Sequence, residues 1–310
     1  MFMTVTAWYK CLGRVYQGGI VTGRRTVVVL SLTLFAAACF PTSPPPPPPD
    51  TYAALGDSYT SGPIIPIPVP PYGCLKSDHN YPHLAAPSTG LPKLVDISCG
   101  GATTDEMANP QNVSPDGPNP PQLSALDDMT GVITLTIGGN DIGFTSIVEN
   151  CSSPTPAGTP CQDRYVVNGH DELRQRIADT APKIAATLQG IHQHAPRATI
   201  YFLAYEAILP EGPLVAGAPE GCYPQMPFTP GDVPYLRGIE KALNAMLAEQ
   251  AAANDATFVD TYAASVGHDA CEIPSVRWVE PVIPAAPAAP VHPNELGMIG
   301  AKDAFLAALP

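Results

Sequence analysis

Four short stretches carry residues able to do nucleophilic chemistry together: Gly56-Asp57-Ser58, Gly100-Gly101-Ala102, Gly138-Gly139-Asn140-Asp141 and His292-Pro293-Asn294. A serine hydroxyl is a weak nucleophile until a neighbouring base takes its proton. Imidazole titrates near neutrality and suits that role. Attack on a carbonyl carbon puts negative charge on its oxygen, which preorganised N–H donors stabilise. A glycine lets the backbone approach such an oxygen closely, and an asparagine amide offers two uncharged donors. Each stretch alone is weak, since small polar residues also fill ordinary loops. Their combination, in this order, describes an acyl-transfer site that needs no metal and no other cofactor.

The elements that must position them alternate along the chain. Five strand candidates stand out: Thr51 to Leu55, Lys93 to Ser98, Gly131 to Gly138, Ala198 to Tyr205 and Ala256 to Asp260. Leu173, Ile177, Ile184, Leu188 and Ile191 recur at helical spacing, and Pro182 is expected to kink that helix. Leu236, Ile239, Leu243, Met246 and Leu247 mark a second helix, and Pro293 to Leu309 a third. Strand–helix alternation with nearly continuous apolar strands predicts an α/β fold, a five-stranded parallel sheet covered on both faces as a three-layer α/β/α sandwich. In such sheets function gathers at the carboxyl ends of the strands. Ser58, Gly101 and Asn140 each follow one strand, so all three fall on one edge. Pro-rich connections at 63–73, 210–232 and 281–290 interrupt the pattern. Loops of that length in a compact domain carry function or disorder. Ile64, Ile65, Ile67 and Val69 in the first suggest that it lines an apolar acyl groove.

The sequence "ALGDSYTSG", "SCGGATT", "LTIGGNDIGF" and "VHPNELG", with six cysteines, resembles the SGNH/GDSL hydrolase superfamily, in particular its secreted, disulfide-containing actinobacterial esterase and lipase branch. The likeness spans essentially all of 51–310. It implies a flavodoxin-like fold and an esterase or lipase in which Ser58 is the nucleophile and His292 the general base. The Ser58 N–H, the Gly101 N–H and the Asn140 amide would form the oxyanion hole. Many family members carry Asp three residues before the histidine; here that place is Ala289. A Ser58–His292 dyad is therefore expected, with the Ala289 carbonyl or a neighbour accepting from the ring, and Asp57 bracing the turn. His79, His83, His192 and His194 read as structural or solvated. Two other readings stay open: a carbohydrate esterase removing acetyl groups, and a catalytically silent envelope lipoprotein using the cleft for binding.

The bulk composition narrows the setting. Fifteen Lys and Arg stand against 28 Asp and Glu, a net charge of −13. Lys10, Arg14, Arg24 and Arg25 all precede the apolar run from Val27 to Phe35, so the remainder is still more acidic. Phosphate backbones would repel it, which excludes nucleic acid as a partner. Residues 1–38 read as a signal peptide, too short in its apolar core to span a bilayer permanently. A true start near Val21 would make that signal compact. "AAAC" at Ala36 to Cys39 allows simple cleavage or lipidation of Cys39, and so membrane tethering. Residues 39–50 then form a stiff Pro-rich spacer and 51–310 the catalytic domain. Cys74, Cys99, Cys151, Cys161, Cys222 and Cys271 suit three disulfides in an oxidising compartment, with fifteen possible pairings. Cys151 and Cys161 flank a short turn-rich loop that one bridge would close. A monomer acting on a small-molecule or lipid ester is expected.

Overall fold

The computed structural model describes residues 46–310. The expected signal peptide, the alternative start and Cys39 lie outside them.

Five parallel strands form the central sheet: β1 (Thr51–Gly56), β2 (Lys93–Asp96), β3 (Thr130–Thr136), β4 (Thr199–Leu203) and β5 (Thr257–Val259), in the spatial order β5-β4-β3-β1-β2. These are the five segments expected from the sequence. β1 pairs with β2 on one side (Ala53 opposite Val95) and with β3 on the other (Ala53 opposite Ile133). The chain thus leaves β1 in one direction and returns to its other flank. The crevice beyond the ends of β1 and β3 is the switch point where open α/β sheets place ligands.

Successive side chains of a strand point to opposite faces, and β1 shows how this builds two cores. Tyr52 and Ala54 pack on one face with Tyr81, Met298 and Phe305. Ala53 and Leu55 pack on the other with Ile133, Leu135, Ile184, Leu188 and Leu247. The main helices are α1 (Ser58–Ser61), α2 (Tyr81–Ala85), α3 (Phe144–Cys151), α4 (Glu172–His194), α5 (Val233–Ala253) and α6 (Glu295–Ala307). α2 and α6 cover the first face, and α4 and α5 the second, which gives the three layers. Asp171 caps α4 by accepting the Leu173 and Arg174 N–H groups. The helix then continues through Pro182 without a break in its 23 residues.

Three disulfides join Cys74 to Cys99, Cys151 to Cys161 and Cys222 to Cys271. The first ties the loop after α1 to the turn after β2. The third ties the long connection before α5 to the segment after β5.

Candidate active site

β1 ends at Gly56, whose φ of +128° suits only glycine; a Cβ there would sit 2.4 Å from the Thr136 carbonyl. The buried Gln122 amide clamps this residue. It accepts the Gly56 N–H at 2.7 Å and donates to the Gly56 carbonyl at 2.9 Å. Asp57 then caps α1 by accepting the Tyr59 N–H, and Ser58 opens the helix. As the first helical residue, Ser58 has no intrahelical acceptor for its N–H.

His292 meets Ser58 from the other end of the chain. Its Nε2 lies 2.7 Å from Ser58 Oγ, and its Nδ1 lies 2.7 Å from the Pro290 carbonyl oxygen. A carbonyl can only accept, so Nδ1 carries the proton and Nε2 is left to accept from the serine. Burial draws the His292 pKa below its ordinary value, with the Pro290 hydrogen bond acting in the opposite sense. The Tyr59 and Phe144 rings pack on the imidazole at 5.3 and 5.8 Å.

The ring's partner corrects the expectation for Ala289. The Ala289 carbonyl instead accepts the backbone N–H of His292 at 3.2 Å, closing a tight turn. Val291, inside that turn, has φ +58°, an outlying conformation for a β-branched residue. This twist aims the Pro290 carbonyl at the ring. It is held from outside: the Val291 N–H donates to the Glu280 carbonyl, and Tyr59 Oη donates to the Val291 carbonyl. Glu280 is fully buried and receives Arg277, Asn294 Nδ2 and the N–H groups of Ala285 and Ala286.

The two glycine-bearing turns are tied to each other and, through Tyr205, to Asp57 beside Ser58. Gly101 has φ +78° and its N–H makes no backbone hydrogen bond. Its neighbour Gly100 is fixed on both sides, donating to the Cys74 carbonyl and accepting from Gln111 Nε2. Asn140 Nδ2 donates to the Ala102 carbonyl at 2.9 Å, which brings the amide beside Gly101. Asp141 accepts the N–H and hydroxyl of Thr104, locking the same two turns together. Tyr205 links the Asn140 turn to the Ser58 turn. Its hydroxyl accepts the Gly139 N–H at 2.7 Å and donates to Asp57 Oδ2 at 2.5 Å. Burial pushes Asp57 up to about 7, against the pull of the Tyr205 and Tyr59 hydrogen bonds. Asp57 does brace the turn, then, and its carboxylate faces Tyr205.

All four chemical stretches are thus brought together. The sequence did not single out Tyr59, Phe144, Tyr205, Gln122, Glu280 or Pro290. Only Tyr205 carried a signal, its place at the end of a strand.

Two hollows flank the Gly139-Asn140 turn. On one side lies an apolar cavity of about 80 Å³ whose walls include Tyr59, Ile142, Phe144, Ile147, Leu243 and Val291. On the other lies an open groove of about 500 Å³ of mixed character, with Thr103, Asp105, Asn140, Asp141 and Lys183 beside Met107, Ala108, Leu123 and Ala186. The 63–71 loop does not line the apolar cavity, contrary to expectation. Its Ile64 and Ile67 are 61% and 60% exposed, whereas the cavity walls come largely from α3, α5 and the segment after β4.

Residues 54–298 match the sequence model of the GDSL-like Lipase/Acylhydrolase family. A Streptomyces coelicolor protein, Lipase 2, is 39% identical over 253 residues, covering 79% of this chain and 81% of that one. A Streptomyces scabiei esterase is 29% identical over 245 residues, covering 70% and 71%. Among solved structures, a phospholipase A1 from Streptomyces albidoflavus NA297 superposes with a TM-score of 0.67 at 23% identity, covering 84% of this chain and all of that one. An extracellular lipase from Streptomyces rimosus gives 0.66 at 24%, covering 84% and 99%. At these identities the two structures speak for the fold.

Proposed function

The chain belongs to the GDSL-like lipase/acylhydrolase family and is a carboxylic ester hydrolase, and from that premise we propose that Ser58 and His292 carry its chemistry as a dyad. The observation that carries the proposal is the imidazole held between Ser58 Oγ and the Pro290 carbonyl, 2.7 Å from each. Ser58 Oγ attacks the ester carbonyl while Nε2 takes its proton. The tetrahedral oxyanion is met by the N–H groups of Ser58 and Gly101 and by the Asn140 amide. His292 passes the proton to the departing alcohol, leaving an acyl-serine. Water, deprotonated by the same nitrogen, then releases the acid. The Pro290 carbonyl keeps the productive tautomer and supports the transient imidazolium without a third carboxylate.

The apolar cavity beside His292 supports a hydrocarbon acyl chain, and the mixed groove beyond Asn140 supports an alcohol that carries both apolar and polar groups. Together they favour a lipid ester over an acetylated polysaccharide, for which an apolar acyl cavity has no use. Residues 1–38 serve as an export signal and 39–50 as a spacer, a reading that three disulfides favour. Mass spectrometry of the mature N-terminus separates release after Ala38 from lipidation at Cys39.

Hydrolysis of p-nitrophenyl esters from acetate to palmitate tests the assignment. The parent should prefer acyl chains longer than acetyl, and Ser58→Ala should lose at least about 10⁴-fold in turnover. Retained activity in Ser58→Ala overturns the nucleophile. Activity confined to acetate moves the substrate to the carbohydrate esterase reading.

A further inference from the structure

The loop between α1 and the Cys74–Cys99 bridge spans both walls of the site. At one end the Pro63 carbonyl accepts the Ala289 N–H of the histidine loop at 3.0 Å. At the other the Cys74 carbonyl accepts the Gly100 N–H beside Gly101 at 2.8 Å. A short hairpin pairs Pro68 with Ser77 and Val69 with Lys76, the latter two just past the bridge. Five prolines between 63 and 71 stiffen the chain.

What this stiff strap shows to water is apolar. Ile64, Ile67, Tyr72 and Leu75 are 61, 60, 52 and 51% exposed. Ile64 and Leu75 hold their side chains out from left-handed backbone, φ +70° and +55°. A β-branched residue in that conformation is strained, and exposing it adds an unfavourable hydration term. Asparagine or glycine would satisfy the same backbone without either cost. The surface extends to the segments that lead into His292. Ile273 (62% exposed) and Ile283 (83%) share one groove, and Pro274 in that groove also borders the next one, with Ile65 and Pro66.

We propose that this strap, with the Ile273 and Ile283 shoulder, is a docking surface that seats the site on an uncharged lipid–water interface. The proposal rests on the lipid-ester reading of the site. A lipid ester must leave its aggregate to reach Ser58, and an apolar rim around the mouth shortens that transfer. The choice of an uncharged surface follows from charge. No residue from Pro63 to Leu75 is ionisable as an acid or a base other than Tyr72 and the bridged Cys74, and the chain carries −13 overall. An anionic bilayer would repel it; phosphatidylcholine or a neutral oil would not.

The test uses the full oxidised chain and the variant Ile64→Asn/Ile67→Ser/Ile283→Ser. Asn tolerates the left-handed position, so the strap should keep its shape; Ile64→Asn alone is the second variant. Each isoleucine seated in lipid is worth roughly tenfold in partition. In the Ser58→Ala background, the triple variant should sediment with phosphatidylcholine vesicles at least ~50-fold less well than its parent. With Ser58 intact, it should turn over a dissolved short ester within about twofold of parent and an emulsified long-chain ester several-fold more slowly. Parental vesicle binding by the variant overturns the proposal. So does an equal loss on dissolved and emulsified esters, which would place the loop in the site. Tighter binding to phosphatidylglycerol vesicles overturns the uncharged surface, and a concentration-dependent dimer lost in the variant would assign the patch to a second copy. If the parent hydrolyses no ester, the vesicle arm still reads the docking surface independently.

Discussion

At the residue scale, the role proposed for His292 as a base requires a neutral ring. Burial disfavours the imidazolium, so its pKa lies below 6.5 in the folded protein. Turnover should rise with pH along an acidic limb displaced below the ordinary imidazole range. A kcat/KM profile on a dissolved ester should place its acidic limb below pH 6.5; a limb above 7 would mean that another group takes the proton. The residues proposed for the dyad and the oxyanion turn could be picked out because chemistry restricts their types: a hydroxyl, an imidazole, an amide and a bare glycine. The carbonyl that orients the ring was not. Which of Ala289 and Pro290 faces Nδ1 depends on the backbone twist at Val291. Glu280 and Tyr59, 11 and 232 residues away from it, hold that twist, and no spacing near His292 encodes their reach.

At the element scale, the histidine loop depends on one buried carboxylate. The Glu280 backbone pairs with Val291 and His292, its carboxylate accepts from Asn294 and from the Ala285 and Ala286 N–H groups, and Arg277, 3% exposed, supplies the charge partner. Arg277→Ala would strand that carboxylate, costing about 3–5 kcal/mol. Thermal unfolding should therefore drop by roughly 6 to 15 °C. On a dissolved ester kcat should fall while KM holds, since the base shifts and the acyl cavity does not. A lower melting temperature with unchanged kcat would limit Arg277 to stability. The strands were legible because their runs are short, apolar and rich in β-branched residues between turn formers. The 63–71 loop was misjudged for a related reason. Apolar residues in a proline-broken stretch show no period, so sequence alone does not say which of them face water. Ile65 is 2% exposed and its neighbour Ile64 61%. The acyl cavity escaped notice because its walls come from α3, α5 and the chain after β4, segments that meet only once the sheet is assembled.

At the scale of the whole molecule, the three bridges constrain the chain unequally. Cys222–Cys271 spans 49 residues and Cys151–Cys161 spans 10. Loop-closure entropy assigns the longer one about 1.4 kcal/mol more stabilisation. Replacing the Cys222–Cys271 pair with alanines should lower the urea midpoint further than replacing Cys151–Cys161; the reverse order would show that local packing outweighs chain entropy. The three-layer arrangement was readable from strand–helix alternation, and Cys151–Cys161 from the short turn-rich loop it closes, whereas the partners of the other two bridges were not, because their pairing is a property of the assembled loops. The remaining bridge, Cys74–Cys99, fastens the segment that carries Gly100 and Gly101 to the strap across the mouth, beside the Gly100–Cys74 backbone hydrogen bond. That makes the redox state of one bond a setting on the turn beside Ser58. The reduced chain should turn over a dissolved ester more slowly than the oxidised one, and equal rates would show that the backbone bonds alone hold the turn.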